Sequence, residues 1–129
     1  MIHRRQFLIL TAAAGTVLAW PLGSLAAMMS LKEIEAEIAA GGPVFIHVTA
    51  PWCGTCKRQK PIIDELLAKP EFKALKKINV DFDSQGDVLR HLKVQTQATM
   101  LVFNQGKEID RAVGETDPEA IAALFKKVA

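Results

Sequence analysis

Hydrophobic and polar residues follow two different spacings along residues 30–129. Short apolar runs rich in valine, isoleucine and phenylalanine predict strands, and apolar residues three and four positions apart predict helices. The strands are predicted at residues 44–49, 77–81, 100–103 and 109–113. The helices are predicted at residues 31–40, 57–69, 87–92 and 118–127, with a short helical extension from residue 70. This order predicts an α/β domain in which helices cover both faces of a mixed central β-sheet.

Local signals mark the ends of several predicted elements. Ser30 and Glu33 have the spacing of a capping box, which opens the first helix, and two glycines at positions 41 and 42 end it. Residues 104–107, Asn-Gln-Gly-Lys, predict a hairpin turn between the last two strands. Pro61 lies inside the second predicted helix, where its ring predicts a kink.

The front of the chain has the pattern of an export signal. Arg4 and Arg5 precede an apolar run at residues 7–20, and Ser-Leu-Ala at residues 24–26 supplies a small-x-small cleavage pattern. The arginine pair followed by x-Phe-Leu resembles a bacterial twin-arginine signal. We therefore expect cleavage after this tripeptide and a periplasmic location. The alternative is an uncleaved membrane anchor that faces the periplasm, because about 20 apolar residues can span a bilayer.

Composition limits the remaining chain to one small domain without a strong charge. The full chain has 129 residues, of which 16 are basic and 14 are acidic. Removal of the signal peptide at residues 1–26 takes two arginines and leaves a domain at residues 27–129 with 14 basic and 14 acidic side chains. A net charge near zero gives no electrostatic surface for nucleic acid or anionic membranes. We expect a monomer that binds no nucleic acid.

The chain has two cysteines, three positions apart, where a predicted strand meets a predicted helix. At a helix start, free backbone N–H groups and the positive end of the helix dipole favour a thiolate, which is the nucleophile in disulfide exchange. A CxxC pair also occurs in zinc sites, but structural zinc needs four ligands and the chain has no second pair. A structural disulfide is another alternative, although so short a loop constrains the unfolded chain weakly.

These residues resemble the active site of the thioredoxin family. The pattern Trp-Cys-Gly-x-Cys-Lys stands at residues 52–57, and Pro61 follows the second cysteine by five positions, as in the family. Further matches are Asn-Val-Asp at residues 79–81 and the terminal hairpin that leads to Gly114. The resemblance covers nearly all of residues 30–129 and implies a thioredoxin fold.

The resemblance also implies a role for each residue of this site. Cys53 would be the exposed nucleophile that forms a mixed disulfide with a partner protein, and Cys56 would be the more buried resolving thiol. The redox-active disulfide would need no further cofactor. The substrate-docking surface would be formed by Trp52, Ala98, Thr99 and Gly114.

His47 is the first departure from the family pattern. Six residues before the first cysteine, thioredoxins usually carry a buried acid that moves a proton to and from the resolving thiol, and this chain has a histidine there. Strand alternation points His47 to the opposite face from Ile46 and Val48. An imidazole can relay a proton, because its pKa lies near neutrality. The alternative is a desolvated core histidine with one hydrogen bond.

Ala98 is the second departure, since the family nearly always has a cis-proline at its position. A cis bond before a non-proline residue costs roughly 2.5–4 kcal/mol. We therefore expect a trans Gln97–Ala98 bond and a reshaped loop, which changes how a substrate docks. Loss of the ring is also expected to uncover the cysteines and to leave room for a metal ion.

The leading hypothesis is an exported thiol–disulfide oxidoreductase that acts as a reductase on cysteine-containing exported proteins. It would exchange electrons with a membrane or periplasmic donor or acceptor. One alternative is an oxidase that inserts disulfides, and another is a module that binds copper(I) or zinc through Cys53, Cys56 and His47. Two aspartates, Asp81 and Asp83, are interpreted as solvated loop residues.

Overall fold

Four strands and four α-helices follow one another in the predicted order within residues 28–129, the part of the chain that the computed structural model describes. The predicted signal peptide lies outside the described residues. The bounds of the elements are α1 Leu31–Ala39, β1 Val44–Thr49, α2 Gly54–Leu67, a 3-10 turn at Pro70–Phe72, β2 Lys76–Asp81, α3 Gly86–Leu92, β3 Thr99–Asn104, β4 Lys107–Val113 and α4 Pro118–Lys126. None of the helices in residues 28–129 is long and apolar enough to cross a membrane.

The strands form one mixed sheet in the order β2-β1-β3-β4. β1 pairs in parallel with β2, and it pairs antiparallel with β3 on its other side. A parallel pair needs a crossover connection, which α2 supplies, whereas β3 and β4 are joined by a tight hairpin. The predicted mixed sheet is confirmed, and β1 lies at its centre with five of its six residues buried.

Helices cover both faces of the sheet, and each face has a core of its own. Ile46 and Val48 of β1 lie in the core under α1 and α3, whereas Phe45 lies in the core under α2 and α4. His47 shares the face of Phe45, because its imidazole contacts Gln59 of α2 and stacks with the Phe45 ring. The predicted orientation of His47 is therefore confirmed, and it directs the imidazole toward α2.

The start of α2 differs from the prediction. The helix begins at Gly54 and not at residue 57, and it ends at Leu67. Cys53 is its N-cap, because the Cys53 sulfur accepts a hydrogen bond from the backbone N–H of Cys56. A cysteine is not among the usual capping residues, so the cap pattern in the sequence did not reveal this start. The helix continues through Pro61, whose ring removes one backbone donor.

Two other local predictions are confirmed. Ser30 and Glu33 form the capping box of α1, with each side chain bonded to the backbone of the other residue. The turn between β3 and β4 places both Gln105 and Gly106 at positive φ, 52° and 77°. Such a turn matches the right-handed twist of the strands that it joins.

Candidate active site

Cys53 and Cys56 form a disulfide at the junction of β1 and α2. Their Cα atoms are 5.3 Å apart. The backbone N–H of Cys56 donates to the Cys53 sulfur over 3.0 Å, and the N–H of Cys53 itself donates to the carbonyl of Ala50. In the reduced protein the same helix end favours a thiolate at Cys53, since its free N–H groups and the helix dipole act on that sulfur.

Both cysteines are covered, which contradicts the expectation of an exposed Cys53 beside a more buried Cys56. Cys53 is 3% exposed and Cys56 is 4% exposed. They pack in a small cluster with Ala50 and Ala98, against which Phe82 also lies. The alanine that replaces the usual proline is itself buried over the disulfide, so loss of the ring has not uncovered the sulfurs.

Trp52 is held beside the disulfide by the two residues that directly follow β2, Phe82 and Asp83. Its indole N–H donates to both carboxylate oxygens of Asp83, at 2.9 and 3.2 Å, and its ring meets Phe82 edge to face. The side chain remains 58% exposed, as a docking surface requires. Asp83 is an exposed loop residue, as interpreted, and its carboxylate also orients Trp52. Asp81 likewise has a partner, accepting a hydrogen bond from the hydroxyl of Ser84.

Ala98 takes a left-handed conformation in the loop before β3. Its φ is +61°, and all peptide bonds in the described part of the chain are trans, as expected for Gln97–Ala98. The N–H of Ala98 donates to the carbonyl of Val48 over 2.8 Å, and its carbonyl accepts from the N–H of Gly114 over 3.0 Å. A left-handed residue costs roughly 1–2 kcal/mol, and these hydrogen bonds offset that cost.

The side chain of Thr99 faces inward. It is 1% exposed, and its hydroxyl donates to the carbonyl of Thr96 over 2.8 Å. Thr99 is therefore buried as a whole and pairs with Val113 of β4, so it exposes almost no surface to a docking partner. Gly114, in contrast, is exposed at positive φ next to Ala98, in keeping with the predicted docking surface. The docking roles themselves stay predictions.

His47 is buried beneath the active site and bonded to α2. It is 2% exposed, and its Nε2 lies 2.8 Å from Oε1 of Gln59. Burial lowers the pKa of His47 below its usual 6.5, and the positive charge of Lys77 acts in the same direction. The Gln59 hydrogen bond and the charge of Asp64 oppose this shift without cancelling it. The imidazole is therefore neutral at pH 7.

Gln59 is a site residue that the sequence analysis missed. It is fully buried, and its amide nitrogen donates to the carbonyls of Ala98 and Glu115, at 3.1 and 2.9 Å. A signal was present in the sequence, since position 59 falls on the buried stripe of α2 at residues 56, 59, 63 and 66. A polar side chain in such a stripe needs buried partners.

A cavity of about 500 Å³ lies between α2 and the end of β2. Both His47 and Cys56 line it. Its other charged residues are Lys57, Lys60, Lys77 and Asp81. Asp64 pairs with two of these lysines, Lys60 at 3.0 Å and Lys77 at 3.6 Å. The cavity thus brings His47 and Cys56 to one space among several lysines.

The sequence model of the thioredoxin family matches residues 26–127 of this chain. The chain belongs to the thioredoxin family. Among curated relatives, a thioredoxin of Aspergillus fumigatus is 34% identical over 99 residues, which cover 76% of this chain and 90% of the relative. A thioredoxin of Chlamydia trachomatis is 36% identical over 97 residues, which cover 74% of this chain and 92% of the relative. The predicted family and fold are thereby confirmed.

Solved structures agree with this assignment. The crystal structure of Trxlp from Edwardsiella tarda superimposes with a TM-score of 0.72 at 34% identity, covering 76% of this chain and 95% of that chain. As a thioredoxin-family member with a CxxC disulfide, the protein is a thiol–disulfide oxidoreductase. No group of three or more His, Cys, Asp or Glu side chains within residues 28–129 is arranged to hold a metal ion.

Proposed function

We propose that this protein is an exported thioredoxin-like reductase that opens disulfides in other exported proteins. The observation that carries the proposal is the Cys53–Cys56 disulfide at the first turn of α2, with the Cys53 sulfur capping the helix. Thioredoxins act on cysteine-containing proteins, and Trp52 and Gly114 supply exposed surface for such a partner here. The apolar, basic front of the sequence supports export.

The reaction proceeds by two exchanges. The Cys53 thiolate attacks one sulfur of a substrate disulfide, which forms a mixed disulfide and releases the other substrate sulfur as a thiolate. The Cys56 thiolate then attacks the Cys53 sulfur, releases the second substrate thiolate and closes the Cys53–Cys56 disulfide. The substrate gains two electrons, and the enzyme loses them. A membrane or periplasmic dithiol donor must then reduce the enzyme disulfide for another cycle.

His47 acts in the second exchange as the base that accepts the proton of Cys56. Two observations support this role: His47 and Cys56 line one cavity, and burial keeps the imidazole neutral and able to take a proton. A base within the cavity matters because the resolving thiol is 4% exposed and does not reach bulk water freely. Such proton transfer typically contributes about 10²–10⁴ to a rate.

The reductase direction is tested by the reduction potential of the Cys53–Cys56 pair. Trp52 is the tryptophan that remains after removal of Trp20 with the signal, so its fluorescence reports the redox state in a glutathione series. We expect a potential near that of thioredoxin, about −270 mV, and reduction of insulin disulfides by the reduced protein. A value near about −120 mV, as for a strong periplasmic oxidase, would overturn the reductase and favour disulfide insertion.

The nucleophile is tested by alkylation of the reduced protein at pH 7. We expect Cys53 to react faster than Cys56 and faster than a free thiol, whose pKa is about 8.5. The Cys56→Ser variant should accumulate the mixed disulfide with substrate, whereas Cys53→Ser should form none. Equal alkylation of the two thiols would contradict the assigned roles.

Export is tested with the full chain in a bacterial host that has a twin-arginine pathway. We expect the mature protein in the periplasm, beginning near residue 27. Replacement of both Arg4 and Arg5 by lysine preserves charge but should leave the precursor in the cytoplasm. Export that is unaffected by this pair would exclude the twin-arginine route and leave a general secretory signal.

A further inference from the structure

The amide of Gln59 can be oriented in only one way. Its three hydrogen-bond partners are two backbone carbonyls, from Ala98 and Glu115, and the imidazole of His47. Carbonyl oxygens only accept hydrogen bonds, so the amide nitrogen must face both of them. The amide oxygen Oε1 therefore faces His47, and it too can only accept. The 2.8 Å contact then requires a proton on Nε2 of the imidazole.

From this geometry we infer that Gln59 is a positioning residue, which holds neutral His47 as the Nε2–H tautomer and leaves Nδ1 as the nitrogen that takes the proton of Cys56. The opposite tautomer would place the lone pair of Nε2 against Oε1 at 2.8 Å, which is two acceptors in contact. The hydrogen bond that one ring nitrogen makes to a neighbouring residue commonly selects the tautomer of a histidine. The inference rests on the proposed role of His47 as the base.

Nδ1 is the ring nitrogen that the bond to Gln59 leaves for the proton of Cys56. Among residues 28–129, His47 makes one side-chain hydrogen bond, and Nε2 uses it. His47 and Cys56 line the same cavity. The two residues that carry the basic nitrogen and the resolving sulfur thus border one volume.

This arrangement lets the proton move without rearrangement of the buried network. The Nε2–H tautomer of the neutral imidazole and the imidazolium both carry a hydrogen on Nε2, so the bond to Gln59 persists when Nδ1 gains a proton. The amide nitrogen of Gln59 likewise keeps its bonds to the carbonyls of Ala98 and Glu115. His47 can therefore cycle between its two charge states while the loop over the disulfide stays in place.

The tautomer is tested by long-range ¹H–¹⁵N NMR of the full chain with ¹⁵N-labelled histidine, oxidised and reduced, at a pH where the imidazoles are neutral. In the wild type we expect Nε2 of His47 to be protonated and Nδ1 to be unprotonated. His91 is exposed, contacts Glu35 and serves as the internal reference. A neutral His47 protonated on Nδ1 would overturn the inference directly, and this measurement needs no variant.

Two variants at position 59 separate the amide oxygen from the amide nitrogen. Gln59→Glu keeps an acceptor for Nε2–H but loses the two donors to backbone carbonyls, and should retain the wild-type tautomer. Gln59→Met keeps the shape and loses all three bonds, and should give a tautomer mixture. Thermal unfolding first establishes that both variants are folded. A wild-type tautomer in folded Gln59→Met would then overturn the inference.

Kinetics give an independent readout of the same variants. Residues that hydrogen-bond to metal-ligating histidines are typically worth about 10–100-fold in activity; taking the lower end for this metal-free site, we expect Gln59→Met to slow mixed-disulfide resolution about tenfold and to leave its formation unchanged. Gln59→Glu should move the pH midpoint of resolution upward, since a carboxylate favours the imidazolium. The other charged groups near His47, Lys57, Lys60, Lys77, Asp81 and Asp64, are the same in every variant.

Failure of the two proposals can be distinguished. If the protein reduces no disulfide but His47 is the Nε2–H tautomer, the proposed function fails and the positioning by Gln59 stands. If the protein is an active reductase but the tautomer is the opposite one, the positioning inference fails alone. An unchanged pH midpoint of resolution in Gln59→Glu would also contradict the placement of the basic nitrogen.

Discussion

At the scale of single residues, the active site places a buried histidine, His47, and one of the two reactive cysteines, Cys56, along one shared cavity. His47 replaces the acid that the family usually places there. Its burial costs less free energy than burial of an ionised acid, because the imidazole is neutral at pH 7. A buried carboxylate would need a charged partner to stay ionised, whereas a neutral imidazole needs only the hydrogen bond from Nε2 to Gln59. On the proposed mechanism, the histidine therefore supplies a proton acceptor for Cys56 without burying a charge.

A His47→Gln variant tests this residue in the reaction. The new amide nitrogen can still donate to Gln59, so the buried network is kept while the titrating base is lost. We expect resolution of the mixed disulfide to slow by roughly 10², and its formation by Cys53 to change little. Stopped-flow measurement of Trp52 fluorescence separates the two steps. Equal slowing of both steps would show that His47 acts on the structure of the site and not on the proton.

At the scale of elements, the start of α2 and the loop before β3 bring the site together. Cys53 caps the helix with its sulfur, and the loop lays Ala98 over the disulfide. Each is held by backbone hydrogen bonds, from Cys56 to the sulfur and from Ala98 to Val48. The catalytic sulfur is thus also a structural cap, and its two roles can be separated by substitution.

The capping role is tested by comparing Cys53→Ser with Cys53→Ala, neither of which can form the disulfide. Serine is a strong N-cap and alanine is not, so Cys53→Ser should be more stable by about 1 kcal/mol. Urea unfolding under reducing conditions measures the difference. Both variants should lack reductase activity, which makes them matched controls. Equal unfolding midpoints would show that the cap contributes nothing to the stability of α2.

The loop is tested by two substitutions at Ala98. Glycine adopts a positive φ freely, so Ala98→Gly should leave the free energy of unfolding unchanged or raise it by up to about 1 kcal/mol. Proline has φ near −65° and no N–H, so Ala98→Pro should lose about 1–3 kcal/mol through the unpaired Val48 carbonyl. Denaturant unfolding measures both. A stabilised Ala98→Pro would mean that this loop readily takes the form usual in the family.

At the scale of the whole molecule, two cores share one sheet, the disulfide packs in a small cluster of its own, and His47 lies on the side of only one core. His47 and Phe45 lie on the face of α2 and α4, where the Phe45 ring is tilted against Phe125 with centroids 4.6 Å apart. The imidazole stacks with the Phe45 ring, and the two ring centroids are 6.0 Å apart. Protonation of His47 therefore places a charge at the edge of an apolar core, which connects its titration to the stability of the entire fold.

We expect the free energy of unfolding to fall as the pH drops from 7 to 5. The pKa of His47 is below 6.5 in the folded protein and returns to about 6.5 on unfolding. The unfolded chain thus binds the proton first, and stability present above pH 6.5 is lost below it. Asp64 and Asp110 have pKa values lowered from 3.8 by hydrogen bonds to lysines, so they affect the free energy of unfolding only at lower pH.

The control for this pH dependence is His47→Gln, in which the loss of stability between pH 7 and 5 should be smaller. Urea unfolding at half-unit steps of pH measures both proteins, and His91 is present in each. An identical slope in the two proteins would show that His47 has the same pKa folded and unfolded. The expected slope is positive, meaning that stability rises with pH across this window.

The order of elements, the mixed sheet, the capping box at Ser30 and the hairpin turn were all predictable from the sequence. These features depend on residues close together in the chain, where spacing reports directly on the side chains that share a face. The same holds for the CxxC pair and its family resemblance, because Cys53 and Cys56 are neighbours in sequence. The predicted start of α2 was three residues too late. Its N-cap is the sulfur of Cys53, and cysteine is not among the residues that usually cap a helix.

Local sequence thus determined the fold and the redox chemistry of this protein, and tertiary structure decided the surroundings of the sulfurs. Gln59 bonds to carbonyls 39 and 56 residues away, and Trp52 to a carboxylate 31 residues away. No spacing along the chain encodes such contacts. They exist because packing α2 on the sheet buries polar groups, and each buried group must find a partner wherever the fold places one.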